Sequence, residues 1–223
     1  TGSKDPFALR RSAIGVLRII VEKELDLNIV DVIRHAISAH SEVELSPDTE
    51  GQVFQFLLER FRSWYQDEGI SNSVFESVYV LKPEKPLDFN QRIEAVNAFN
   101  RLPESMSLAI ANKRVSNLLR KQQQDDLQSP CSEMLLKHES ERNLFNEIRK
   151  KKVEMAPFLK KTNYTEALLC LSSLKPIVDD FFENVLVIDE DQKLRENRLS
   201  LLSELRELFL MTADISFLDP SSE

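Results

Sequence analysis

The chain has 223 residues, 42% of them apolar and 30% charged, with only four glycines against nine prolines and a formal net charge of −8. That length supports a buried core in one large or two small domains, while four glycines are too few for the tight turns of a sandwich or barrel of short strands. An excess of 37 acidic over 29 basic side chains argues against coating nucleic acid through bulk charge, although local basic faces remain open.

In chain order, apolar spacing predicts helices almost throughout, and strand alternation is nearly absent. Asp5-Pro6 reads as an N-cap and N1 pair opening a helix that runs to about residue 24. Phe7, Ile14, Leu17 and Val21 fall on one side, and Leu9, Val16, Ile19 and Ile20 make the other sides apolar too. A helix apolar nearly all round is normally covered. A second helix is expected over 29–40. A third follows Ser46-Pro47 and ends at Gly69, and a short one is capped by Ser71 and runs through Leu81. The Lys82-Pro83-Glu84-Lys85-Pro86 stretch then breaks the pattern and supplies the domain boundary, giving a helical body over 1–85 and a second domain over 86–223. Within the latter, helices are predicted over 88–100, 103–121, 133–159, 164–182 and 191–213. Residues 122–132, rich in Gln, Asp and Ser, are expected to be a mobile loop. The fold class is therefore all-α, as two packed helical subdomains.

Charge is uneven along the second domain. Residues 110–161 carry 12 basic and 7 acidic side chains, whereas residues 162–223 carry 5 and 13. No Gly-rich phosphate loop, His-Glu-x-x-His or nucleophile elbow is present. The spacing of His35 and His40 puts them on different helix faces, and no carboxylate pair has the look of an acid/base dyad. Catalytic residues and metal ligands are therefore expected to be absent. Cys131 and Cys170 have no partner at metal or redox spacing and read as plain thiols. No run of 18 apolar residues and no signal-peptide pattern occurs, so the expected setting is cytoplasmic. The chain opens on Thr1-Gly2-Ser3 without Met, as expected of a piece of a longer polypeptide.

Binding features are richer. With Leu108 at the origin, Ala111, Val115, Leu118 and Leu119 lie within about 80°, while Lys113, Arg114, Asn117, Arg120 and Lys121 gather near the opposite side. Five donors on one face suit phosphate and base-edge contacts, and equally a solvated basic face. Asn112 falls nearer the core side. The run Arg149-Lys150-Lys151-Lys152, followed by Lys160-Lys161, is a second basic block that reads either as solvated surface or as an extension of one binding track. In the last helix Arg198 falls inside the apolar stripe of Leu201, Leu202, Leu205, Leu208 and Phe209, where it needs a partner. Asp179 or Asp180 would supply a structural ion pair, and a ligand contact is the alternative.

Four separated blocks are familiar together: Lys4 to Arg11, Ala111 to Leu119, Asp179 to Phe182, and Arg195 to Leu202 with Leu208-Phe209 and Ala213 to Ser216. They resemble the C-terminal part of the β subunit of bacterial-type glycyl-tRNA synthetase. The resemblance implies that residues from about 86 to 218 form a helical anticodon-binding bundle of the DALR type, preceded by a helical linker. It implies tRNA(Gly) as partner, along with the α subunit or a fused α region and the remainder of the β subunit, with no membrane and no DNA. Ligation of glycine, with its ATP and Mg, would belong to the α subunit, leaving this stretch non-catalytic and without a cofactor of its own. The tRNA-binding residues would be Lys113, Arg114, Asn117, Arg120, Lys121, Lys150, Lys151, Lys152 and Arg195. Arg10, Arg11, Asp179 and Arg198 would be structural or interface residues. The alternative function is a helical interaction module that docks to and positions other synthetase domains without reading the anticodon.

Overall fold

The computed structural model describes residues 5, 7–40, 42–122 and 130–218. Among these the secondary structure is α-helix with two short 3-10 turns, as expected of an all-α chain: α1 (Leu9–Glu22), α2 (Ile29–Ala39), α3 (Thr49–Asp67), α4 (Asn72–Tyr79), α5 (Pro86–Asn100), α6 (Ser105–Lys121), α7 (Glu139–Lys160), α8 (Tyr164–Ser172), α9 (Lys175–Asn184) and α10 (Gln192–Leu210). The chain divides into two compact units, Thr1–Ile93 and Glu94–Glu223.

In the first unit α1, α2 and α4 all pack on α3. α1 starts three residues later than Asp5-Pro6 suggests, because Ala8 takes a left-handed conformation with φ of 55°. Asp5 still serves the helix start, its carboxylate accepting the Arg10 backbone N–H at 3.1 Å. Asn28 caps α2 by accepting from Val30 and Asp31, and Ser71 caps α4 by accepting from Val74. Ile20, Ile29 and Ile33 form one cluster with Ile37, Phe54 and Leu57 against it. A second cluster is aromatic: Phe61 stacks on Phe89 at 4.9 Å, Tyr65 at 5.6 Å and Trp64 at 5.8 Å. The polar tips of this cluster are satisfied, Tyr65 donating to Asn90 at 2.7 Å and Trp64 to Glu68 at 2.5 Å, as buried aromatics with a polar end require.

Gly69 ends α3 as its sequence position predicts. With φ of 80° it lets its own N–H reach the Gln66 carbonyl and the Ile70 N–H reach that of Tyr65, a Schellman closure that a residue with a Cβ adopts only with strain. α7 ends the same way, with Thr162 N–H on Leu159 and Asn163 N–H on Phe158, but its left-handed residue is Thr162, φ 51°. A β-branched side chain is disfavoured there. Thr162→Gly is therefore expected to raise stability by about 1 kcal/mol, read as an upward shift of the denaturation midpoint. A downward shift would show that the threonine side chain gives more than its backbone costs.

In the second unit α7 packs on α8, α9 and α10, while α6 packs on α9, α10 and the 3-10 turn at Ile215–Phe217. Two helices expected to be continuous are broken. The 133–159 prediction becomes a 3-10 turn at Glu133–Leu135 and then α7, because His138 takes the N-cap and Glu141 reaches back to its backbone in a capping box. The 164–182 prediction splits into α8 and α9 at Ser173-Leu174, with Pro176 in the first turn of α9 where its missing N–H leaves no bond unmade. Of the 122–132 stretch expected to be mobile, residues 123–129 lie outside the described residues. Cys131 and Ser132, by contrast, are fixed to α10: Glu204 accepts the Cys131 N–H at 2.7 Å, and Asn197 accepts from and donates to the Ser132 backbone at 2.7 and 3.1 Å.

Candidate nucleic-acid interface

The α6 sequence turns Leu108, Ala109, Ala111, Asn112, Val115 and Leu119 inward. Its other side carries Lys113, Arg114, Asn117, Arg120 and Lys121, all exposed. The five donors therefore do share one solvent-facing side of a single helix, and Arg120 and Lys121 fall in its last turn, where the helix dipole favours cations. Two of them are held in place. The Arg114 guanidinium lies 4.2 Å from the centroid of the Phe182 ring on α9, and Arg120 donates to the Asn117 side-chain oxygen at 3.0 Å. Asn112 takes the packing role open to it, donating to the Leu108 carbonyl at 3.0 Å in a buried site.

The second basic block is divided by its own helix. Lys151 continues the buried stripe of Leu144, Phe145, Ile148 and Met155, is only 8% exposed and pairs with Glu154 at 2.8 Å. That withdraws it from the ligand-facing set proposed from the sequence. The signal was legible, since 144, 148, 151 and 155 follow the spacing of one helix face. Lys150 is exposed and pairs with Glu147 at 3.0 Å, and Arg149 lies over Phe145 at 4.2 Å. Lys152 is exposed and, with Arg149, lines a groove of about 620 Å3 whose other wall includes Glu204 and Glu207. Arg114 instead lines a groove of about 500 Å3 with Asp179 and Phe182. Arg114 on the one hand and Arg149 with Lys152 on the other thus border different grooves. Arg195, half-buried, donates to the Asp189 carbonyl at 3.0 Å and is engaged in holding the turn before α10.

Arg198 does find a partner, but on other elements than α9. Its Nε meets Glu141 at 2.5 Å, and its Nη1 meets Asp189 at 2.6 Å and the Leu186 carbonyl at 2.9 Å. Burial works against its charge, yet the two carboxylates overcome that and hold the guanidinium pKa above its ordinary value. Asp179 is taken by Ser107 at 3.1 Å and Lys175 at 2.6 Å. The chain after α9 folds back so that Leu186 and Asp189 face α10, and the capping box already puts Glu141 there. Glu141, missed in the sequence, accepts the Lys137 and His138 N–H groups at 2.6 Å each while pairing with Arg198. The His-x-x-Glu spacing of a capping box was its only local signal.

No group of three or more His, Cys, Asp or Glu is placed to hold a metal ion among the described residues. Burial first, then the carboxylates of Glu204 and Glu141, push the Cys131 thiol up to about 12, which keeps it protonated and unreactive near neutral pH. In the first unit Arg10 and Arg11 are exposed on α1 beside Leu9, Val16 and Ile19, which are 59%, 45% and 58% exposed. No described helix is long and apolar enough to cross a membrane.

The second unit is all-helical among the described residues and exposes a basic face on α6, and residues 108–215 match the family model described as DALR anticodon binding domain. Residues 1–80 match the family model described as Glycyl-tRNA synthetase beta subunit. Among relatives, the glycine–tRNA ligase β subunit of Hahella chejuensis is 43% identical over 98% of this chain and 31% of its own length. Those of Shewanella pealeana and Pseudomonas aeruginosa are 46% and 44% identical, over 97% and 98% of this chain and 31% and 32% of their own. The chain belongs to the glycyl-tRNA synthetase β-subunit family, and spans about a third of the length of the relatives it matches.

Proposed function

We propose that this chain is the tRNA-engaging part of a glycine–tRNA ligase, and that the exposed face of α6 receives the anticodon arm of tRNA(Gly). The observation that carries the reading is the set of exposed donors Lys113, Arg114, Asn117, Arg120 and Lys121 on one helix inside the anticodon-binding stretch. Loop bases in RNA are unstacked and read by polar and planar side chains, while phosphates meet Lys and Arg. A net charge of −8 leaves little non-specific attraction, so binding depends on this face rather than on the whole surface. Ligation of glycine, with its ATP and Mg, is assigned to the α subunit or region, and the remainder of the β subunit completes the assembly.

The test is tRNA binding by the complete α and β assembly across a range of salt, with Lys113→Ala plus Lys121→Ala as the variant. Removing two phosphate contacts to a single-stranded loop is expected to weaken binding and to reduce the slope of log affinity against log salt by about 1.4. An unchanged slope would sink the assignment of this face. A second reading, docking to other synthetase domains, is favoured by the exposed apolar stripe of Leu9, Val16 and Ile19 on α1, a surface of the kind that marks protein contacts. It predicts that the α6 variant leaves tRNA binding intact while charges placed on that stripe loosen the assembly.

A further inference from the structure

Where α7 packs on α8, an amine and a thiol meet at one carboxylate oxygen. Lys151 on α7 is 8% exposed, and its Nζ donates to Glu154 Oε2 at 2.8 Å. Cys170 on α8, half-buried, donates its S–H to the same Oε2 at 3.3 Å. Lys151 hydrogen-bonds to the sulfur as well. Cys170, a plain thiol by its sequence spacing, therefore has a buried amine against it that comes from another helix. Pairing a buried ammonium with a carboxylate is a weak source of stability, because both charges lose water. Burial first, then the Glu154 hydrogen bond, hold the Cys170 thiol above its ordinary pKa, while Lys151 pulls it the other way. Little thiolate forms, so attack by an oxidant is slow. What sets this thiol apart is the amine placed to capture the oxidised sulfur.

We propose that Lys151 and Cys170 form a modification site for hydrogen peroxide, at which a covalent S–N bond joins them and staples α7 to α8. In the first step peroxide transfers one oxygen to Cys170 Sγ; sulfur loses two electrons, the O–O bond breaks, and the products are the sulfenic acid and water. In the second step Lys151, its ammonium having given a proton to water, attacks Sγ through the Nζ lone pair. The S–N bond forms as the S–O bond breaks, and the hydroxyl leaves as water with one of the amine protons. Sulfenic acids condense with nitrogen in this way, and a thiol reverses the product. Two equivalents of thiol return Cys170 and Lys151 and are themselves oxidised to a disulfide. The bridge closes the chain from 151 to 170 into a loop, which constrains the unfolded state as other cross-links do.

The experiment treats the complete α and β assembly with hydrogen peroxide, digests it with a protease that cleaves after glutamate, and maps the peptides by mass spectrometry. Such cleavage puts Lys151 in peptide 148–154 and Cys170 in peptide 167–183. Wild type is expected to yield the two joined, with a mass equal to their sum less two hydrogens and fragments that place the bond at Lys151 and Cys170. Dithiothreitol added before digestion is expected to abolish the joined species and return both free peptides. Lys151→Arg keeps a cation beside Glu154 but has no nucleophilic amine; it is expected to lose the joined species and to carry Cys170 on to the sulfinic acid, which dithiothreitol does not reverse. Cys170→Ser is expected to lose it as well. Recovery of wild-type Cys170 as free thiol, or as sulfinic acid with Lys151 unmodified, would overturn the proposal. So would a joined species that persists in Lys151→Arg, since the nitrogen would then come from a neighbouring residue.

Discussion

Glu141→Ala is expected to lower the stability of the second unit by about 3–5 kcal/mol, the range found when one partner of a buried ion pair is removed. Glu141 is 1% exposed. Its loss leaves the Arg198 guanidinium, itself 7% exposed, with Asp189 and the Leu186 carbonyl, and strips the Lys137 and His138 N–H groups of their acceptor. The first cost falls on a group that water reaches poorly. The measurement is urea denaturation of Glu141→Ala, Arg198→Met and the double variant Arg198→Met plus Glu141→Leu. If the cost is that of an uncompensated buried charge, the double variant recovers a large part of it, since apolar side chains of similar volume often replace a buried pair without net loss. A loss below about 1 kcal/mol in Glu141→Ala would mean that the pair behaves as a surface contact. The same set decides the role of Arg198. As a structural group it leaves tRNA affinity unchanged in the folded double variant, whereas a ligand contact would lower affinity whatever the stability.

Phe61→Ala is expected to cost the first unit about 3–5 kcal/mol. Phe61 is 1% exposed and lies at the meeting point of Trp64, Tyr65 and Phe89, so truncation removes one ring and leaves three others facing a void that the stiff α3 backbone closes only in part. Trp64, the single tryptophan of this chain, packs against that ring and reports the transition through its emission. Phe61→Leu, which keeps more of the volume, is expected to cost less. Equal midpoints for wild type and Phe61→Ala would show that the cluster carries little of this unit's stability.

Local rules made much of the fold legible. Ser71 and Gly69 start and stop their helices where the sequence puts them, because capping uses only a side chain and a backbone group a few residues away. The α6 face was legible for the same reason, since helical spacing alone separates Lys113, Arg114, Asn117, Arg120 and Lys121 from the buried Leu108, Val115 and Leu119. Lys151 departs from the surface expected of four adjacent basic residues, because successive residues on a helix point about 100° apart.

By itself the sequence determined that the chain is helical, where most helices lie, that one helix presents a basic side, and that an arginine is buried in the last helix. Only the tertiary structure decided which carboxylates hold Arg198, that Arg114 and Lys152 border separate grooves, and that Arg114 stacks on Phe182 beside Asp179. Spacing fixes the direction in which a side chain leaves its own helix. Its partner sits on another element, 57 residues away for Arg198 and Glu141, and that pairing exists only once the helices have packed.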